Sequence, residues 1–211
     1  MKRCAWILVF TLLIITLFAT DPVGQWTFDN PTNLLEATYG NDLVLEGTHT
    51  VTAGTDAGDG AVNIGVGSFY RCTHDIAANG GGTWVNQYSI VIDFKVPSID
   101  QWYCFHQTNP DNSNDGDSFI NPTGHIGVGV TGYSAYQLIP NEWYRLVIAV
   151  DLGNSYKYYL DGALLQDGGN QSLDGRFALY PSNSTNELLF FADNDAEDNP
   201  IDVSAVSLYD E

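Results

Sequence analysis

Trp143-Tyr144-Arg145-Leu146-Val147-Ile148-Ala149-Val150-Asp151 reads as one strand, and Tyr156-Lys157-Tyr158-Tyr159-Leu160 reads as the next. Asp161-Gly162 then separates Tyr158-Tyr159-Leu160 from Ala163-Leu164-Leu165. Both runs are rich in β-branched and aromatic side chains, which suit a pleated, half-buried surface. The Asp-Gly pair is a type I′ hairpin signal, because both central residues need positive φ.

The pattern continues on both sides. In Tyr88–Val96, residues Ile90, Ile92, Phe94 and Val96 share one face while Asp93 and Lys95 point the other way, the period of two of a half-buried strand. Val62–Cys72, Trp102–Gln107 and His125–Val130 read as strands as well. Val23–Asp29, Leu43–Glu46, Arg176–Tyr180, Leu188–Ala192 and Val203–Tyr209 complete the set. Thr73–Gln87, with Asn79-Gly80-Gly81-Gly82, and Thr108–Gly124 read as irregular. Short, fairly even spacing between strands predicts a sandwich or barrel.

Composition agrees. Three Lys, six Glu and one Met are too few strong helix formers for a bundle or coiled coil, whereas 21 Gly, 17 Asn and 20 Asp supply turns. The formal net charge of −19 excludes ordinary nucleic-acid binding, since such a surface repels phosphate. It also disfavours sulfated glycans or alginate unless calcium bridges them, and leaves neutral glycans and basic protein surfaces as partners.

Met1-Lys2-Arg3 followed by an apolar run through Phe18 has the form of a secretory signal, with a cut after Ala19. The run is short of the roughly 20 residues of a membrane span, so the membrane is reached only through an uncleaved signal. The expected organisation is a signal peptide over residues 1–19 and one domain over 21–211, outside the cell or at its surface. Cys4 leaves with the signal. Cys72 and Cys104 remain, and an oxidising compartment makes them either a disulfide or two buried thiols.

With the strands placed, the chain resembles a concanavalin A-like jelly roll of the laminin-G-like type found in secreted bacterial proteins. Trp143–Asp151 and the Tyr159-Leu160-Asp161-Gly162 hairpin resemble that family's tryptophan-led strand and Tyr-x-Asp-Gly turn. Gly58-Asp59-Gly60-Ala61-Val62 is similar to its Gly-x-Gly-Ala start of an early strand. Gln25–Asp29 and Ile201–Tyr209 resemble its opening and closing strands. The resemblance implies an all-β, two-sheet antiparallel jelly-roll sandwich with lectin-like or adhesive roles, and a structural role for Trp143. It also implies a calcium ion held between the opening and closing strands, at Asp29 and Asp202.

Retaining hydrolases of this fold resemble one another in a Glu-x-Asp strand that places two carboxylates together. None of Glu36, Glu46, Glu142, Glu187, Glu197 or Glu211 has an acid two residues downstream. No nucleophile elbow, zinc-helix or phosphate-loop motif occurs either. A non-catalytic module is expected, with a glycoside hydrolase or polysaccharide lyase on the same sandwich, or a structural adhesion domain, as the alternatives. No pair among His49, His74, His106 and His125 has metal-ligand spacing, which leaves them as surface or core residues.

Calcium is the expected ion, because hard cations take carboxylate and amide oxygens on loops. Asp111-Asn112-Ser113-Asn114-Asp115-Gly116-Asp117 imitates half an EF-hand loop, with Asp111, Asp115 and Asp117 as ligands, although Pro122 stands at its twelfth position. Asp193-Asn194-Asp195-Ala196-Glu197-Asp198 is the second segment, with Asp193 and Asp195 as ligands. The other reading of both is solvated turn residues. For a glycan or another extracellular partner, the candidate contacts are Trp84, Trp102, His106, Tyr133 and Tyr136, which offer ring faces or polar tips beside loop amides. The glycines before Trp84 either admit a ligand to bare backbone or make a tight turn.

Overall fold

The computed structural model describes residues 20–195 and 197–211; the proposed signal segment and Cys4 lie outside them. The strands are β1 (Gly24–Trp26), β2 (Val44–Glu46), β3 (His49–Ala53), β4 (Gly60–Ile64), β5 (Phe69–Thr73), β6 (Gln87–Lys95), β7 (Tyr103–Gln107) and β8 (Ser118–Ile120). They continue as β9 (Ile126–Val128), β10 (Gly132–Tyr133), β11 (Tyr144–Asp151), β12 (Ser155–Leu160), β13 (Ala163–Asp167), β14 (Glu187–Phe190) and β15 (Ile201–Tyr209). Two antiparallel sheets form a jelly-roll sandwich. One runs β13-β12-β11-β6-β15-β4-β3 with β1 against β15, and the other runs β10-β9-β8-β7-β14-β5-β2.

The alternating pattern decides which face meets the other sheet. Ile90, Ile92 and Phe94 of β6 and Leu146, Ile148 and Val150 of β11 are buried in register, Leu146 beside Ile92 and Ile148 beside Ile90. Phe94 meets Phe105 of the opposite sheet edge-to-face at 4.9 Å. The polar positions of the same strands pair on the outside. Arg145 sits opposite Asp93 and donates to both its carboxylate oxygens, at 2.7 and 2.6 Å. Trp143 falls on this outer phase, where Lys95 lies over its ring at 4.9 Å. The Asp161-Gly162 turn forms as expected, with φ of 48° and 81°.

Three local readings are corrected. Val62–Cys72 is two strands in opposite sheets, because the turn at Gly65–Ser68 carries the chain across. Arg176–Tyr180 forms only an isolated bridge at Leu179, since the Ala178 amide closes a turn onto Gly175 and the Arg176 and Phe177 carbonyls accept from the hydroxyls of Thr108 and Tyr88. Cys72 and Cys104 are free buried thiols, not a disulfide. Cys72 lies on β5 and Cys104 on β7, with β14 between them. Two strand spacings are about 9.5 Å, beyond the roughly 7 Å that a disulfide spans.

Candidate functional site

The seven-stranded sheet has one face in the core and one under loops. Tyr70, Phe190 and His106 stand side by side across β5, β14 and β7, all fully buried. One residue along, Arg71, Leu189 and Gln107 form the outer row. Arg71 donates to the carbonyl of Pro110 at 2.7 Å, and Gln107 to that of Asn114 at 2.6 Å. The segment Thr108–Asp117 is therefore folded down over the outer face. His106 is corrected as a ligand contact: its register turns it inward, where Nδ1 bonds Ser118 Oγ at 2.8 Å. Burial, then the charge of Arg176, lowers its pKa to about 3, so it is neutral.

Asp117 clamps this loop. Its side chain accepts from the Thr108 amide and hydroxyl at 2.7 and 2.8 Å and from Arg176 Nε at 2.7 Å. Burial raises its pKa, with Arg176 and Thr108 acting in the opposite sense. Arg176 also donates to the Gly116 carbonyl, which ties the loop to the segment before β14. Asp117 is thus a structural ion-pair member rather than a metal ligand, and Asp111 stands exposed at the loop start.

The two acidic segments meet. Asp115 from one and Asp193 and Asp195 from the other place carboxylate oxygens within 4.8 Å of one another. Asp193 is the buried member, accepting from the amides of Gly116, Asp195 and Glu197 at 2.9, 3.0 and 3.3 Å. Burial opposes its ionisation, but these amides outweigh that and hold it below the usual range, while a side-chain hydrogen bond with Asp193, and then its charge, push Asp195 up. Burial, then the charges of Asp195, Asp193 and Asp115, brings Glu197 to about 7. Such a group is relieved by protons or by a cation, and an all-oxygen donor set suits a hard one such as Ca2+. The Asp29–Asp202 pairing is corrected: Asp29 accepts from the Gly60 amide at 2.8 Å, whereas Asp202 holds Asn63 and Lys95 at 2.7 and 3.1 Å. Gly60 and Asn63 lie three residues apart along β4, about 10 Å, so the two carboxylates are used separately.

Beside the cluster runs a polar trough. Two adjoining hollows of about 460 and 350 Å³ share Thr108, Asn109, Asn114 and Arg176. The first continues to Ser113, Asp115 and Asn194, the second to Trp84, Asp174 and Tyr180. Trp84 and Tyr180 are half-buried, with ring centroids 4.5 Å apart at 31°. The glycine run makes the tight turn that sets Trp84 in place. Gly82 has φ of +70°, and a Cβ there would lie 2.5 Å from the Asp174 carboxylate. Asp174 accepts from the amides of Thr83 and Trp84 and from Asn86 Nδ2 at 2.9–3.0 Å. Those bonds, Asn86 foremost, lower its pKa to about 2. The Trp84 indole N–H, the Tyr180 hydroxyl, the Asn114 amide and Arg176 Nη1 have no hydrogen-bond partner among the described residues.

The remaining aromatic candidates are dispersed. Trp102 and Tyr133 form a second half-buried pair at 6.2 Å, with Trp102 also edge-on to Phe119. Tyr136 is exposed on another side, at a 390 Å³ hollow lined by Leu160, Ala163, Leu164 and Leu165. Tyr180, Arg176, Asn114 and Asp174 escape the sequence reading, because their contacts join segments far apart in the chain.

No protein-family model and no curated protein matches the chain. Among solved structures it is similar to domain 4 of AbnA, a GH43 extracellular arabinanase from Geobacillus stearothermophilus, in complex with arabinotriose. That match has a TM-score of 0.60 and 17% identity, covering 89% of this chain and 91% of that one. The binding domain of botulinum neurotoxin DC in complex with rat synaptotagmin II is similar at TM-score 0.61 and 12% identity. The botulinum neurotoxin type G receptor-binding domain is similar at 0.58 and 13%. The chain is covered to 90% in each toxin match and spans about half the length of those domains, at 48%. These likenesses are of fold: an all-β sandwich.

Proposed function

We propose that the chain is a secreted, non-catalytic module of the laminin-G-like type that binds a glycan in the trough. One observation carries this reading: a pair of partly exposed rings lies in a polar trough where the rings' own N–H and O–H, the Asn114 amide and Arg176 Nη1 have no hydrogen-bond partner among the described residues. Sugars present apolar faces to such rings and hydroxyls to such groups. The test is a glycan array with the purified protein lacking residues 1–19. Saturable binding lost in Trp84→Ala supports the reading, binding with release of shortened product moves it to a hydrolase or lyase, and no binding overturns it.

Calcium belongs to the same proposal, held by Asp115, Asp193 and Asp195, where it would neutralise the carboxylates and fasten the two loops together. At 100 times its dissociation constant a ligand of the folded state adds about 2.7 kcal/mol of stability. Calcium should therefore raise the melting temperature of the wild type and not of Asp115→Asn/Asp195→Asn. An equal response of both proteins would remove the site. A second reading, an extracellular protein partner, is favoured by the apolar hollow around Leu164 and Tyr136 beside edge strand β13. Its test is capture of a basic extracellular partner that Leu164→Asp abolishes and Trp84→Ala does not.

A further inference from the structure

We propose that the trough selects extended, uncharged oligosaccharides over single sugars and over chains that carry uronates, an inference resting on the glycan reading above. The argument for length is the shape. Each hollow, about 350 and 460 Å³, falls within the ~300–1,000 Å³ of a ligand pocket. They adjoin through Asn109, Asn114 and Arg176, yet the ring pair stands at one end only. A sugar against Trp84 and Tyr180 would occupy the second hollow and leave the exposed Asn194 and Ser113, joined by Asn194 Nδ2 to the Ser113 carbonyl at 3.2 Å, at the far end of the first. The next unit of a chain would reach them.

The argument for charge is the lining. Asp115, Asp117 and Asp174 outnumber Arg176, the one cation among the described residues that line the trough. Two of the guanidinium's nitrogens are already engaged, by Asp117 and by the Gly116 carbonyl. Nη1 thus offers a hydrogen bond to a hydroxyl, while a carboxylate there meets a net negative wall on a chain of net charge −19.

The experiment is calorimetric titration of the protein lacking residues 1–19 with neutral arabino-, xylo- and gluco-oligosaccharides of increasing length. Oligogalacturonates of equal length serve as the charged probe, with and without calcium. Affinity should rise about tenfold from a single sugar to the short chain. Trp84→Ala should lose binding at every length. Asn194→Ala, an exposed change, should keep single-sugar binding and lose the gain with length. The uronate chains should bind at least about tenfold more weakly than neutral ones. Affinity independent of length in a Trp84-dependent site overturns the extended trough. Uronates that match neutral chains in either condition overturn the charge selection. Failure of every sugar overturns the glycan reading itself.

Discussion

Two buried histidines lower this protein's stability in acid, against Glu197 and Asp198, whose raised pKa values of about 7 and about 6 act in the opposite sense. Burial lowers the pKa of His74 to about 4 and, with Arg176, that of His106 to about 3. Unfolded, both bind a proton near pH 6.5. Between those values the unfolded chain holds protons that the folded chain does not, so stability from these residues is present above pH 6.5 and falls as pH drops toward 4. Urea unfolding of His106→Asn across this range should show a shallower acid loss than wild type; an unchanged slope would count against the buried neutral ring. The Asp117–Arg176 pair makes a second residue-level prediction. Arg176→Ala strands a carboxylate whose side chain is 3% exposed and should lower stability by about 3 kcal/mol in urea unfolding. Asp117→Asn/Arg176→Ala should recover part of that. Thiol titration should find Cys72 and Cys104 unreactive in the native protein and both free after denaturation. Their placement as buried thiols on separate strands of one sheet was not legible from their count, since nothing local says that β14 intervenes.

At the scale of elements, the long strands were legible and the short ones were not. Tyr88–Val96 and Trp143–Asp151 match β6 and β11 nearly end to end, because five or more alternating positions make a period visible. β8 and β10, of three and two residues, lie in or beside loop-like sequence and exist only because β7 and β9 offer them a ladder. The opposite failure is Arg176–Tyr180, apolar enough for a strand but recruited to clamp a loop. Turn chemistry was more dependable. Gly162 sits at φ of +81°, and Gly162→Ala should lower stability by about 1 kcal/mol, from the left-handed backbone alone, since open space surrounds it. Gly82→Ala adds a clash with the Asp174 carboxylate to the same strain. It should lower the melting temperature more than Gly162→Ala and weaken any ligand held by Trp84; equal effects would show that Asp174 does not set this turn.

The whole molecule is governed by its charge. With 26 acidic and 7 basic groups, the folded chain concentrates repulsion that the expanded chain relieves. Raising salt from about 0.01 to about 1 M shortens the screening length from roughly 30 to 3 Å, and the melting temperature should climb with it. A flat response would mean that the surface carboxylates are already neutralised. Repulsion is concentrated where Asp115, Asp193 and Asp195 bring carboxylate oxygens within 4.8 Å, which is why calcium should act there beyond its ionic strength.

The sequence by itself determined the all-β class, the alternation that fills the core, the hairpin at Asp161-Gly162 and the acidity that limits the partners. All of these follow from neighbouring residues and from composition. It also contained both acidic segments, yet read them as separate loops and paired Asp29 with Asp202. Only the tertiary structure decided that Asp115 meets Asp193 and Asp195, that Trp84 packs against Tyr180, and that His106 faces inward. Those outcomes depend on which strands adjoin and on strand phase, and a one-residue step along β7 exchanges the core row for the outer row. Side chains that meet across a sandwich are chosen by the register of whole sheets, which no local stretch of sequence records.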